Sequence, residues 1–251
     1  MRWLLVAHCV CAFLPHPLDA AEIPPLQTDR PDQTESPFVV PVGHLQVESG
    51  FSLESTDDST RSFSSPSLLL RFGLGDRVEA RCSGEYASLS AGGRMQSGFL
   101  PASLGVKIGM AEERGPIPSA ALIAHLVLPR FSSEPFRTTF VAPALRFAMQ
   151  HTPTELLSLG YNLGVEWDGE GPEPAYLYTL TAGLSPFGAL GCYIEIYGFA
   201  RQSGAPDHLL NGGCTWLLAP NIMIDCSAGA GVSPRAADGF VSVGMSFRVP
   251  E

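Results

Sequence analysis

The feature that most constrains this chain is an alternation of period two. In the segment that opens it, Leu45, Val47, Phe51 and Leu53 share one parity while His44, Gln46, Glu48 and Glu54 occupy the other. Near the end, Val241, Val243, Met245 and Phe247 alternate with Ser242, Gly244, Ser246 and Arg248. In the middle, Leu157, Leu159, Tyr161, Leu163, Val165 and Trp167 stand opposite Ser158, Asn162 and Glu166. Successive side chains of a β-strand point to opposite faces, so each segment reads as a strand with one dry face and one wet face. About twelve such segments are expected, over 43–54, 66–74, 77–87, 100–110, 119–129, 139–150, 155–167, 175–185, 189–201, 208–218, 221–232 and 238–248.

Segment length separates the two folds that alternate in this way. Strands of a soluble sandwich are typically about five or six residues long. Crossing a bilayer at a tilt takes about 9 to 11, which these segments match. The breaks add an asymmetry. Gly75-Asp76, Thr152-Pro153, Pro186 to Gly188 and Pro220 are short, whereas 55–65, 88–99, 130–138, 168–174 and 202–207 are longer and polar. Short turns at one end and long loops at the other, with an even strand count, describe an outer-membrane barrel with both termini in the periplasm. Ala111 to Pro118 is the one break on the short side that exceeds the pattern. Aromatics near segment ends (Phe51, Tyr86, Phe140, Trp167, Tyr176, Tyr178, Trp216 and Phe240) suggest interfacial girdles. The fold expected is all-β: a single antiparallel up-and-down transmembrane β-barrel with long outer loops and short periplasmic turns.

The N-terminus supports export. Arg2 precedes an apolar run from Trp3 to Leu14 that ends at Ala20-Ala21, the layout of a cleaved secretory signal, and the run is too short to span a membrane. The expected organisation is therefore a signal peptide over 1–21, a proline-rich leader over 22–42 and a barrel over 43–251. Pro24, Pro25, Pro31, Pro37 and Pro41 keep the leader out of regular structure.

Composition excludes several classes of function. Charged residues make up only 16% of the chain, and the net charge of −10 argues against a nucleic-acid partner. No Cys-x-x-Cys or similar cluster offers a metal site, and no cofactor is expected. Cys82, Cys192, Cys214 and Cys226 remain after the signal and take the apolar parity of their strands. There they read as small hydrophobes, with disulfide pairing in an oxidising compartment as the alternative. Some barrels of this strand number are lipid hydrolases, but no Gly-x-Ser-x-Gly elbow occurs. His125 takes the inward parity, and His44, His151 and His208 lie near strand ends, none of them convincingly beside a Ser and an acid. No catalytic residue is assigned and no enzyme is expected. Glu112 and Glu113 read as loop charges.

If the apolar parity faces lipid, the other parity brings Glu48, Arg71, Glu79, Arg81, Glu85, Lys107, Arg146, Glu166, Glu195, Asp225 and Arg248 into one lumen. Such a lumen is either a solute pathway whose charge sets selectivity or an interior cross-linked by its own ion pairs. Leader residues Asp29, Arg30, Asp32 and Glu35 are candidates for a plug that folds back against the interior arginines.

The leader and first strand also carry a recognisable series: Thr28-Asp29-Arg30-Pro31-Asp32, Thr34-Glu35-Ser36-Pro37, Val40-Pro41-x-Gly43 and Gln46-x-Glu48-x-Gly50-Phe51. It continues in Leu70-Arg71-Phe72-Gly73-Leu74, Asp76-Arg77-x-Glu79, Leu104-Gly105-x-Lys107, Gly160-Tyr161-Asn162-x-Gly164, Glu195-x-Tyr197-Gly198, Gly212-Gly213 and Pro220-Asn221. The series resembles the transporter-like outer-membrane β-barrel family labelled as the MetA-pathway of phenol degradation, over nearly the whole mature chain. The resemblance implies an outer-membrane transporter or channel for small molecules, aromatic or otherwise apolar, with membrane lipid, a small-molecule solute and the barrel-insertion machinery as partners. The alternatives are a non-conducting structural barrel whose loops 55–65 and 88–99 bind something outside, and a soluble secreted β-protein. Val249-Pro250-Glu251 depart from a common barrel ending, in which an aromatic residue is terminal.

Overall fold

A computed structural model describes residues 23–57 and 60–250; the signal peptide expected over 1–21 lies outside them. The strands are β1 (Leu45–Asp57), β2 (Thr60–Gly75), β3 (Val78–Ala91), β4 (Arg94–Phe99), β5 (Ala102–Ala111), β6 (Ser119–Leu128), β7 (Ala142–Thr154), β8 (Leu157–Glu166), β9 (Ala175–Leu184), β10 (Leu190–Arg201), β11 (Asp207–Ala219), β12 (Ile222–Gly231) and β13 (Gly239–Val249). Each pairs antiparallel with its neighbours, and β1 pairs with both β2 and β13, which closes the sheet. Strand β3 pairs with β4 along its outer half and with β5 along its inner half, so β4 and β5 are one stave interrupted at Leu100-Pro101. The result is a closed barrel of 12 staves.

The wall is inverted relative to a soluble protein. Leu163, Ile194, Trp216, Val241 and Val243 are more than half exposed on the outside, while Gln46, Glu48, Arg71, Glu79, Lys107, Asn162 and Glu195 are at most 1% exposed within. A hydrophobic outer belt around a polar interior is stable only where lipid, not water, touches the belt. The protein is an outer-membrane barrel. The turns Asp76-Arg77, 155–156, 185–189 and Pro220-Asn221 lie at the periplasmic end, together with the start of β1 and the end of β13. The longer break 112–118 closes as a tight hairpin in which Arg114 and Ile117 exchange backbone hydrogen bonds of 2.9 and 3.1 Å.

Two expectations about the outer side are corrected. Most of 55–65 and 88–99 is strand: β1 and β2 pair out to Asp57↔Thr60, and β3 and β4 out to Ala91↔Arg94. Their Ser-rich sequences lack an apolar stripe, yet ladder hydrogen bonds to long neighbours suffice to hold them extended. The outer edge of β4 is covered by the loop between β6 and β7, where the Phe99 amide donates to Ser133 Oγ and the Ser133 amide to the Phe99 carbonyl, each at 2.9 Å. Capping an edge in this way removes a row of unpaired backbone groups. The second correction concerns Phe240. It shares parity with Ser242 and Ser246 and its ring fills the space above Gly229, so it faces the lumen and belongs to no lipid-facing girdle.

Candidate functional site

The lumen is occupied by the leader. Its entry is fixed at the periplasmic end, where the Leu26 amide donates to the Pro220 carbonyl at 2.8 Å and Arg248 donates to the Pro24 carbonyl at 2.6 Å. Its exit is fixed at the same end, where Val42 bridges to Gly73 and the Gly43 amide donates to the Gly73 carbonyl at 2.9 Å. The leader is therefore a loop inserted from the periplasm. Its neck is closed by Asp29, whose carboxylate accepts from the Ser36 amide at 3.0 Å and the Ser36 hydroxyl at 2.9 Å. Proline-rich chain cannot satisfy its own amides in a ladder, so the wall supplies the partners. The Asp29 and Arg30 amides donate to Glu48, those of Gln33 and Thr34 to Glu195, that of Glu35 to Asn162 and that of Val40 to Glu79, all within 2.7–3.1 Å.

Charge is concentrated where the neck meets the wall. Asp29 lies 2.6 Å from Arg81, 2.7 Å from Lys107 and 3.3 Å from Arg71. Arg71 also pairs with Glu48 at 2.9 Å and Glu79 at 2.8 Å, and Arg81 with Glu79 at 3.0 Å. Three cations thus converge on one leader carboxylate within a ring of wall acids. Burial by itself would raise the Asp29 carboxyl, but Arg71, Lys107 and Arg81 outweigh it and hold it well below the ordinary carboxylate range. Farther in, Glu35 pairs with Arg81 at 2.8 Å and with Arg146 at 3.3 Å. Asp32, at the loop tip, has the opposite surroundings: burial and the nearby Glu195 push its carboxyl well above the ordinary range.

Arg30 crosses to the other side of the lumen. Its guanidinium donates to Asp225 at 3.0 Å and to Ser242 at 3.1 Å. It rests against Gly50 of β1 and Gly244 of β13, which face each other in register; a Cβ on either would collide with the guanidinium group or with Asp225. These two glycines form the notch that receives it.

Cavities lie on both sides of the loop. On the periplasmic side, one of about 360 Å³ is lined by Pro24, Pro37, Phe38, Val40 and Arg77, and one of about 270 Å³ by Arg30, Asp32, Thr181, Tyr193 and Met223. In the outer half, one of about 250 Å³ is lined by Arg30, Glu48, Ser83 and Glu85, and one of about 190 Å³ by His125, Arg146 and Glu166. Arg30 lines a cavity on each side, so its side chain is part of the partition between the two halves.

The sequence-selected residues thus fall into groups. Arg71, Arg81 and Lys107 meet the Asp29 carboxylate, Glu48 takes the Asp29 amide and Glu79 pairs with Arg71 and Arg81; Arg146 and Glu195 hold the segment from Gln33 to Glu35; Asp225 holds Arg30; Arg248 holds the entry. Glu85 and Glu166 lie apart from the cluster and line the outer cavities. His125 faces inward, its Nε2 lies 3.1 Å from Arg81 Nε, and it shares the cavity of about 190 Å³ with Ser103 and Glu166. Thr34, Gln46, Asn162 and Asn211, uncharged and so not among the lumen candidates of the sequence, also belong to the site. The Thr34 hydroxyl donates to Glu195 at 2.6 Å, the Gln46 amide to Glu48 at 2.8 Å and the Asn211 amide to Glu195 at 2.7 Å. Inward parity marks the last three in the sequence, as it does their charged neighbours. No group of three His, Cys, Asp or Glu side chains among the described residues is placed to hold a metal ion.

Comparison with known proteins agrees with this architecture. The crystal structure of an outer membrane channel from Pseudomonas putida F1 superposes with a TM-score of 0.66 at 12% identity, covering 84% of this chain and 97% of that one. The KdgM porin gives 0.56 at 10% identity, covering 80% and 98%, and the NanC porin 0.55 at 11%, covering 81% and 98%. At such identities the likeness is one of fold. Among curated proteins, none matches the chain by sequence. A family model described as "Putative MetA-pathway of phenol degradation" matches residues 28–249, a span that takes in both the leader loop and the barrel, and the chain belongs to that family.

Proposed function

We propose that the protein is an outer-membrane channel for small molecules, closed at rest by its own leader loop, and that its solutes include small neutral aromatics. The observation that carries this reading is the position of Arg30 between cavities of about 270 and 250 Å³ on either side of the loop. Space for a solute exists on both sides of the leader loop, and in this reading the loop is the gate that separates it. The leader enters and leaves at one end, so it can withdraw without threading. The proline- and Phe38-lined cavity of about 360 Å³ at the periplasmic mouth offers an apolar surface of the size a single aromatic ring needs. The family description supplies the link to phenol.

In this reading the protein is a conduit and not an enzyme. Its other partners are the lipid that covers the apolar belt and the machinery that inserts barrels into the membrane. A non-conducting barrel is the second reading, favoured by the same filled lumen. Uptake separates the two. Cells lacking the protein should take up micromolar phenol or a similar small aromatic more slowly than cells that carry it, and a chain without residues 23–41 should restore or exceed the original rate. Equal rates in all three strains across a panel of small aromatics would refute the channel reading.

A further inference from the structure

Cys192 of β10, Cys214 of β11 and Cys226 of β12 form a row across three adjacent staves: Cys192 is in register with Cys214, and Cys214 with Cys226. They share parity with the lipid-facing Ile194, Trp216 and Ile224. The two junctions of the row are not equivalent. At the first, the Leu217 amide donates to the Ala189 carbonyl directly opposite, at 2.8 Å. Hydrogen-bonded and non-hydrogen-bonded pairs alternate along an antiparallel ladder, so three residues further in, Cys192 and Cys214 form a non-hydrogen-bonded pair. At the second, the Val232 amide donates to the His208 carbonyl at 2.8 Å. Six residues along, Cys214 and Cys226 form a hydrogen-bonded pair.

That difference selects a partner. Opposed Cα atoms are about 4.5 Å apart in a non-hydrogen-bonded pair and about 5.5 Å apart in a hydrogen-bonded one. A disulfide needs Cβ atoms about 3.5–4.5 Å apart, which the closer pair meets with the least movement. The Cys192 and Cys214 sulfurs are already 2.8 Å apart, inside the contact distance of two unbonded sulfurs.

We propose that the exported protein carries a cross-strand disulfide between Cys192 and Cys214, formed in the envelope before the barrel enters the membrane, with Cys226 left as a free thiol beside it. The chemistry balances with a disulfide-bearing thiol oxidase as oxidant. One cysteine thiolate attacks a sulfur of the oxidase disulfide and expels an oxidase thiolate. The second cysteine thiolate then attacks the mixed disulfide and expels the oxidase's other sulfur. Two electrons and two protons leave on the oxidase, now a dithiol, and the chain gains one S–S bond. The timing follows from the site: once the belt is covered by lipid, a water-borne oxidase has no approach to it.

The test is peptide mass spectrometry of the full chain from cells quenched in acid before lysis and alkylated without reduction. A linked peptide containing Cys192 and Cys214, with Cys82 and Cys226 alkylated, is the expected result. Replacement C226S should leave the link intact, and a strain lacking its envelope thiol oxidase should lose it. Alkylation of all four thiols in the unreduced wild type, or a link from Cys214 to Cys226, would overturn the proposal.

Discussion

At the scale of single residues, docking of the leader turns on Asp29, the leader carboxylate on which Arg71, Arg81 and Lys107 converge. Removing one member of a buried ion pair leaves the others uncompensated, at a cost of about 3–5 kcal/mol. Asp29→Ala should therefore release the leader, seen as protease cleavage within 23–41, while the wall stays folded because its freed cations can be hydrated in the emptied lumen. The pH dependence has a definite sign. The docked Asp29 carboxyl lies well below its free value of 3.8, so its contribution is complete above 3.8 and disappears only as pH falls through the lower, docked value. Asp32, raised well above 3.8, acts in reverse and disfavours docking as pH rises past its free value. Leader protection in the wild type should thus decline somewhat from mildly acidic to neutral pH, and Asp32→Asn should abolish that decline. A decline that persists in the Asp32→Asn chain would contradict this assignment. Parity was enough to bring Glu48, Arg71, Glu79, Arg81 and Lys107 into the lumen from sequence. Which of them meet was not legible, because the partners sit on different staves and close only through the leader.

At the scale of elements, alternation and segment length located the staves, and the period of two assigned their faces. Ile196, at mid-height on β10, points to lipid while its neighbour Glu195 is buried within. Arginine on the lipid face near the bilayer midplane costs about 2–4 kcal/mol. Ile196→Arg should lower barrel stability by about that much in reversible denaturant unfolding into lipid vesicles, and Ile196→Leu should leave it nearly unchanged. Equal effects of the two would mean that this face is not against lipid. What alternation could not show was the outward extension of β1 to β4. The sequence from Ser55 to Ser65 has no apolar stripe, so the strand character of its described residues comes from pairing with neighbours and not from its own pattern. The break at Leu100-Pro101 was hidden for the same reason: β4 and β5 lie end to end against a single partner, β3.

At the scale of the whole molecule, barrel and leader form one polar interior with one apolar outer surface. A barrel of this strand number lies between those filled by their own side chains and those wide enough for an open aqueous channel. Here the leader supplies the filling, and because it enters and leaves at the periplasmic end it has a route out of the lumen that requires no threading. The claim that the leader is the closing element is tested most directly by single-channel conductance in planar bilayers. Three chains should be compared: wild type, Arg30→Ala, which removes the side chain between the two halves without disturbing the Asp29 cluster, and the chain lacking 23–41. Conductance should rise in that order, from near-silent wild type to a steadily open channel without the leader. A leaderless barrel that inserts and remains as silent as the wild type would contradict it.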